Sequence, residues 1–161
     1  MSKAWRWFLL AAAVVAADQA TKSMVLARFN TGEGVVVTPY FNLVLVYNKG
    51  AAFSFLAAAP GWQTPLLAAF ALGAALVVSV LLLRSPERRM LCAGLALILG
   101  GAVGNLVDRL RFGQVVDFLD FHAAGWHWPA FNVADSAITV GAALLILDGL
   151  RRHERRAGAP S

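Results

Sequence analysis

The chain has 161 residues, of which 59% are hydrophobic and only 14% charged, with a formal charge of +5. A water-soluble domain has no use for apolar residues gathered into long unbroken runs, so this composition excludes an ordinary soluble enzyme. The basic residues flank those runs and are not interleaved with exposed aromatics on a folded surface, so nucleic acid is not an expected partner.

The first apolar run covers about 5–26, with Lys3 before it and Arg6 at its start. Its basic start, apolar stretch and small residues before Asp18 imitate a secretory signal peptide. Helical periodicity nevertheless continues beyond that point and puts Asp18 and Lys22 on one face at i, i+4, so the span is expected to stay attached. Its polar end then lies toward the outer interface, where a carboxylate costs less than at mid-bilayer.

From 35 to 55 the character changes to β-branched and aromatic residues with turn formers, predicting short strands in a small outward-facing β-rich segment over about 28–60. Asn48-Lys49-Gly50 reads as a turn, and Pro60-Gly61-Trp62 introduces the second span with an interfacial tryptophan.

Further apolar runs at 65–83, 90–107 and 133–150 each approach the roughly 20 residues that a helix needs to cross hydrocarbon. Backbone groups find no water in lipid, so all four spans must be helical. The expectation is one integral-membrane unit over 1–161, mainly α, with four transmembrane helices, a β-rich outward cradle between the first two and a loosely ordered tail at 151–161. Arg84, Arg88 and Arg89 fill the loop between the second and third spans, and Arg151, Arg152, Arg155 and Arg156 follow the fourth. The positive-inside tendency therefore puts both termini in the cytoplasm and turns 28–64 and 109–132 outward.

On the third span, Gly100-x-x-x-Gly104 is a spacing that lets helices approach closely, and Asn105, Asp108 and Arg109 concentrate polar groups at its outward end. Beyond it, Asp117 and Asp135 flank a short Trp- and His-containing stretch, one just past the end of the third span and the other just inside the fourth. Two carboxyls that converge cannot easily both ionise, so one keeps a proton while the other acts as a general base on water. The competing structural reading is that Asp135 caps its helix.

Asp108 is most simply the partner of another interfacial charge, and Arg109 has the donors to orient a carboxylate or bind a carbonyl. Asp120 is expected to be solvated and Asp148 to pair with the arginines near it. Asn48, Asn105 and Asn132 suit holding an extended peptide or tuning an aspartate, although each alone reads as a turn or cap residue. The lone Cys92 reads as a small buried hydrophobe. His122 and His127 lack further ligands at metal spacing, so no metal or other cofactor is expected. There is neither a Gly-rich phosphate loop nor a Gly-x-Ser-x-Gly elbow.

Five ordered motifs give the chain a close resemblance to the bacterial lipoprotein signal peptidases, also called signal peptidase II. They are Asp18-Gln-Ala-Thr-Lys22, Asn48-Lys-Gly50-Ala-Ala-Phe53, Gly100-Gly101-Ala-Val-Gly104-Asn105-Leu-Val-Asp108-Arg109, Val116-Asp117-Phe118 and Phe131-Asn132-Val-Ala134-Asp135. The resemblance implies an aspartic endopeptidase of the bacterial inner membrane that removes the signal peptide from prolipoproteins just before a diacylglyceryl-modified cysteine. Asp117 and Asp135 match the family's catalytic pair, and Asp18, Lys22, Asn48, Gly50, Gly101, Asn105, Arg109, Asn132 and Ala134 match positions that line or support the substrate pocket. The resemblance further implies membrane lipid as a partner, globomycin as an inhibitor and a site at the periplasmic face. The alternative is a small proton-coupled transporter relaying protons through Asp18 and Asp108. The confinement of acids to one interface, with none in the middle of the second or third span, speaks against it.

Overall fold

The computed structural model describes residues 4–50 and 62–157. Expectations for Lys3, for Phe53 and the alanines before it, for the Pro60-Gly61 turn and for 158–161 fall outside the described residues, whereas 151–157, expected to be loosely ordered, continue the last helix. Four long helices are present: α1 (Trp5–Arg28), α2 (Gln63–Arg84), α3 (Arg89–Phe112) and α4 (Val133–Ala157). Each is long and apolar enough to cross a membrane. The 24 residues of α1 would cover about 36 Å at the helical rise, more than the hydrocarbon thickness. On α2, Leu66, Phe70, Leu72, Leu76, Val77, Val80 and Leu83 are exposed, a greasy surface that suits lipid.

The bundle is organised around α3, which packs on all three other helices. Small residues permit this. A Cβ on Gly100 would sit 2.6 Å from Val14 of α1 and 2.7 Å from the Ala11 carbonyl. One on Gly104 would sit 2.7 Å from the Asp18 carboxylate, so the predicted close approach is made by α3 against α1. At the other end of α3, Gly94 and Gly141 meet reciprocally, the Cβ of each falling 2.8 and 2.6 Å from the other's carbonyl. Cys92 is fully buried there in a cluster with Ala11, Val78, Leu82, Leu95 and Leu99, as expected of a small hydrophobe. Helix α3 stops at Gly113, whose φ of 71° is left-handed and whose N–H donates to the Arg109 carbonyl at 3.0 Å.

The predicted strands after the first helix are present as β1 (Gly34–Thr38) and β2 (Phe41–Asn48), joined by a tight turn. The sheet is larger than the sequence indicates. Two more strands, β3 (Val115–Ala123) and β4 (Trp126–His127), come from the connection between α3 and α4 and complete an antiparallel order β1-β2-β3-β4. The sheet is thus built from the α1–α2 and α3–α4 connections together and not only from the one between the first two helices. Val25 of α1, Leu45 of β2, and Val116 and Phe118 of β3 form a second apolar cluster that fastens the sheet to the end of the bundle.

Candidate active site

The polar residues of the sequence motifs meet where the C-terminal end of α3, the first turn of α4 and strand β3 converge. Asn132 directly precedes α4, and Asp135 lies in the helix's first turn. The Asp135 N–H donates to Asn132 Oδ1 at 2.9 Å, and the Asn132 N–H donates back to Asp135 Oδ2 at 3.3 Å. This is a reciprocal capping box, with asparagine as cap and aspartate at the third helical position. The helix-capping reading of Asp135 therefore holds. The box leaves the Asn132 side-chain amide free to act elsewhere, and it donates to Asp117 Oδ1 at 2.7 Å. One asparagine thus holds both carboxylates, and Asn105 completes the arrangement by donating to Asp135 Oδ1 at 2.7 Å.

Asp117 stands opposite Val46 in the β2–β3 ladder and is 2% exposed. Beside it opens a cavity of about 310 Å³ between the end of β2 (Tyr47, Asn48 and Lys49) and Pro129-Ala130. Burial pushes the Asp117 carboxyl up to about 7, the nearby Asp135 charge adds to this, and hydrogen bonds from Asn48 and Asn132 with the more distant Lys22 charge pull the other way. A carboxyl in that condition gives up its proton near neutrality, as an acid–base group must.

Behind the pair lies a buried ionic cluster. Lys22 is 2% exposed and lies 2.8 Å from both Asp18 and Asp108, and its Nζ donates to Asn105 Oδ1 at 3.0 Å. Asp18 also accepts the Ala134 N–H at 2.9 Å, and Asp108 accepts the Val116 N–H at 3.0 Å. The cluster thereby ties α1, α3, α4 and β3 together, with its charges paired and hydrogen-bonded as burial demands. The family model described as signal peptidase (SPase) II matches residues 10–151. The chain belongs to that family.

Relatives agree. A protein of Paraburkholderia phymatum named lipoprotein signal peptidase is 56% identical over 146 residues, covering 91% of this chain and 88% of its own. One of Paraburkholderia phytofirmans with the same name is 58% identical, covering 91% and 85%. Among solved structures, a bacterial membrane enzyme determined by the in meso method at 2.3 Å superposes with a TM-score of 0.83 at 26% identity, over 97% of this chain and 94% of that one. A second, at 1.9 Å, gives 0.81 at 28% identity, over 90% and 92%. The protein is an aspartic peptidase of the signal peptidase II family and a multi-pass membrane protein.

The remaining motif residues fall around this site of the peptidase. Asn48 ends β2, and its Oδ1 accepts the Gly50 N–H at 2.8 Å. Gly50 has a φ of 99°, so a side chain there would be strained, and its Cβ would strike Leu67. Gly101 lets α3 press against the Ala134 carbonyl of α4. Arg109 bonds the Asn105 carbonyl at 3.4 Å, one of the two uses expected of it, and its charge acts on Asp135, Asp108 and Asp117. No group of three His, Cys, Asp or Glu residues suited to a metal occurs among the described residues.

Asp108 has the ionic partner expected of it, and that partner is Lys22. One expectation about a site residue changes, and one residue is added. Asp120 is not solvated: it is 8% exposed, because β3 runs through the middle of the sheet and brings Asn42 and His127 onto its carboxylate. Asp148 pairs with Arg88 as expected. Sequence reasoning misses Gln19, whose amide reaches Asp108 at 2.9 Å, Asp18 at 3.2 Å and the Gly104 carbonyl at 3.2 Å. Its place directly after Asp18 in the first motif is the available signal.

Proposed function

We propose that this peptidase removes the signal peptide from prolipoproteins, cutting just before a cysteine that carries diacylglycerol, with a water activated between Asp117 and Asp135. The observation that carries the mechanism is the double use of Asn132, which holds one carboxylate by its side-chain amide and the other by its backbone N–H. Both Asp135 oxygens accept hydrogen bonds, from Asn105 and from Asn132, which hold the carboxylate in place to act as the general base. Asp117, whose carboxyl is pushed up to about 7, keeps the shared proton. Asp135 takes a proton from water as the oxygen attacks the scissile carbonyl, and Asp117 donates to the developing oxyanion. Collapse of the tetrahedral intermediate returns a proton to the leaving amine, and no covalent intermediate forms.

The substrate's signal helix and lipid arrive laterally through the bilayer, so the scissile bond must be met where hydrocarbon and water adjoin. The described arginines at the ends of α2 and α4 and the start of α3 support cytoplasmic termini and a site on the outer, periplasmic face of the inner membrane. Asn48, Gly50, Arg109 and Ala134 would line or shape the peptide groove, while Asp18, Lys22, Gly101 and Asn105 support it from behind. Globomycin, a peptide that is not cleaved, would occupy the same groove. A proton relay through Asp18 and Asp108 finds no support, since Lys22 lies 2.8 Å from both.

The test is cleavage of a diacylglyceryl prolipoprotein in detergent by Asp117→Asn and Asp135→Asn. Both variants should fold and insert yet leave the substrate uncut; full activity in either refutes the dyad.

A further inference from the structure

The half of the sheet away from the bundle holds a second polar cluster, outside the carboxylate pair and its ionic support. Asp120 faces Asn42 across the β2–β3 ladder and accepts its amide at 2.8 Å. His127 Nδ1 lies 2.9 and 3.0 Å from the two oxygens of the same carboxylate. His122 is the cross-strand partner of His127, and the two rings stack with centroids 4.8 Å apart. Among the described residues, the groups facing Asp120 are thus Asn42 from β2, His122 from β3 and His127 from β4.

Strand β4 has only two residues, paired with β3 at His122 and Ala123. So short a strand makes few ladder bonds of its own, and the backbone beyond it is held by the Trp128 N–H on the Phe121 carbonyl at 2.8 Å and the Phe131 N–H on the Leu119 carbonyl at 3.1 Å, which leaves Pro129 and Ala130 between two anchors. The segment that leaves β4 shapes the site. Pro129 and Ala130 wall the cavity beside Asp117. The Phe131 carbonyl accepts the N–H groups of Phe118 and Leu119 at 3.0 and 2.9 Å, and the next residue is Asn132.

We propose that the Asp120–His127 pair is a positioning latch, which fixes the Pro129–Ala130 wall and, through Phe131, the depth at which Asn132 meets Asp117. Neither side chain touches the reacting atoms. The latch rests on the dyad reading, in which Asn132 serves both aspartates.

The test compares His127→Gln, which keeps a donor for Asp120, with His127→Leu, which does not, in purified full-length enzyme in detergent. Readouts are kcat and KM against pH for a diacylglyceryl prolipoprotein, and amide exchange over 126–132. His127→Leu should exchange faster in this segment and lose about tenfold in kcat/KM with its pH limb displaced, a size typical of small misplacements around a site. His127→Gln should stay close to the parent in all three. If exchange quickens while KM, kcat and the pH limb stay as in the parent, or if activity falls with KM and the limb unchanged, the positioning role is wrong. Should His127→Leu fail to fold, Asp120→Asn decides by the same readouts. Failure of the latch with Asp117→Asn still inactive removes this inference alone, whereas an active Asp117→Asn removes the dyad beneath it.

Discussion

Lys22 and Asn105, 83 residues apart in the chain, are joined by a buried 3.0 Å hydrogen bond that connects the ionic cluster to the carboxylate pair. Through it the charge of Lys22 orients the Asn105 carbonyl, which leaves the amide of the same side chain pointing at Asp135. Stability and the alignment of the site therefore share one side chain. Lys22→Met keeps the stem but strands two buried carboxylates, and removal of one member of such a group typically costs about 3–5 kcal/mol. The variant should melt well below the parent in detergent, and adding Asp108→Asn should restore part of the loss. A melting temperature unchanged by Lys22→Met would show that the cluster contributes nothing.

Asn132 separates capping from chemistry. Asn132→Ala removes the cap to the Asp135 N–H and the amide on Asp117 together. A lost N-cap costs about 1 kcal/mol, which the fold should tolerate. Activity should fall much further, by about a hundredfold or more, because the Asp117 carboxylate loses its positioning amide while the backbone of Asp135 loses its cap. Asn132→Ser, able to cap but too short to reach Asp117, should recover the melting temperature and not the activity. Thermal melts and prolipoprotein cleavage on the same preparations check this.

The crossing of α3 and α4 depends on bare backbone. Gly141→Ala would push a methyl to 2.6 Å from the Gly94 carbonyl, and backbone cannot swing aside as a side chain can. Overpacking of this kind costs about 1–3 kcal/mol. Gly73 on α2 has nothing within 4 Å of its absent Cβ, so Gly73→Ala should hold or raise stability by up to about 1 kcal/mol. Opposite shifts in the two melts are the expected result; equal shifts would mean that the crossing is not tightly packed.

Much of this fold is legible in the residues themselves because lipid imposes long apolar helices, and because an aspartate and a lysine four positions apart on a helix must share a face. The convergence of Asp117 and Asp135 is legible too, since one lies just after α3 and the other in the first turn of α4, at the same end of two adjacent helices. Strand β3 is harder to read. Its burial does not alternate, because one part packs on α1 and another on the loop before α4, so Val115–Phe118 are all buried and carry no period of two. The turn after it is equally mute: Ala124 and Gly125 both have positive φ, at 49° and 79°, where Asn-Gly or Asp-Gly would have announced a hairpin. Asp120 is misjudged for the same reason, since an acid in an unrecognised central strand looks like one in a loop.

Asp117 gives the protein a pH signature of definite sign. Its carboxyl titrates at about 7 in the fold against an ordinary 3.8, so the folded state binds the proton more tightly than the unfolded chain. The resulting stabilisation is fully present below the unfolded value and is lost as pH rises through about 7, the reverse of an aspartate in a salt bridge. Its size is on the order of a few kcal/mol. Between about pH 4 and 7 the parent should lose stability relative to Asp117→Asn, which cannot ionise there, and the difference between their detergent melts isolates this group from the other acids. In the proposed mechanism the same proton is the one Asp117 gives to the oxyanion, so cleavage by the parent should decline as pH rises past about 7. Parallel pH dependences of the two melts would mean that Asp117 is ionised throughout, and the general acid would then have to be the other carboxyl.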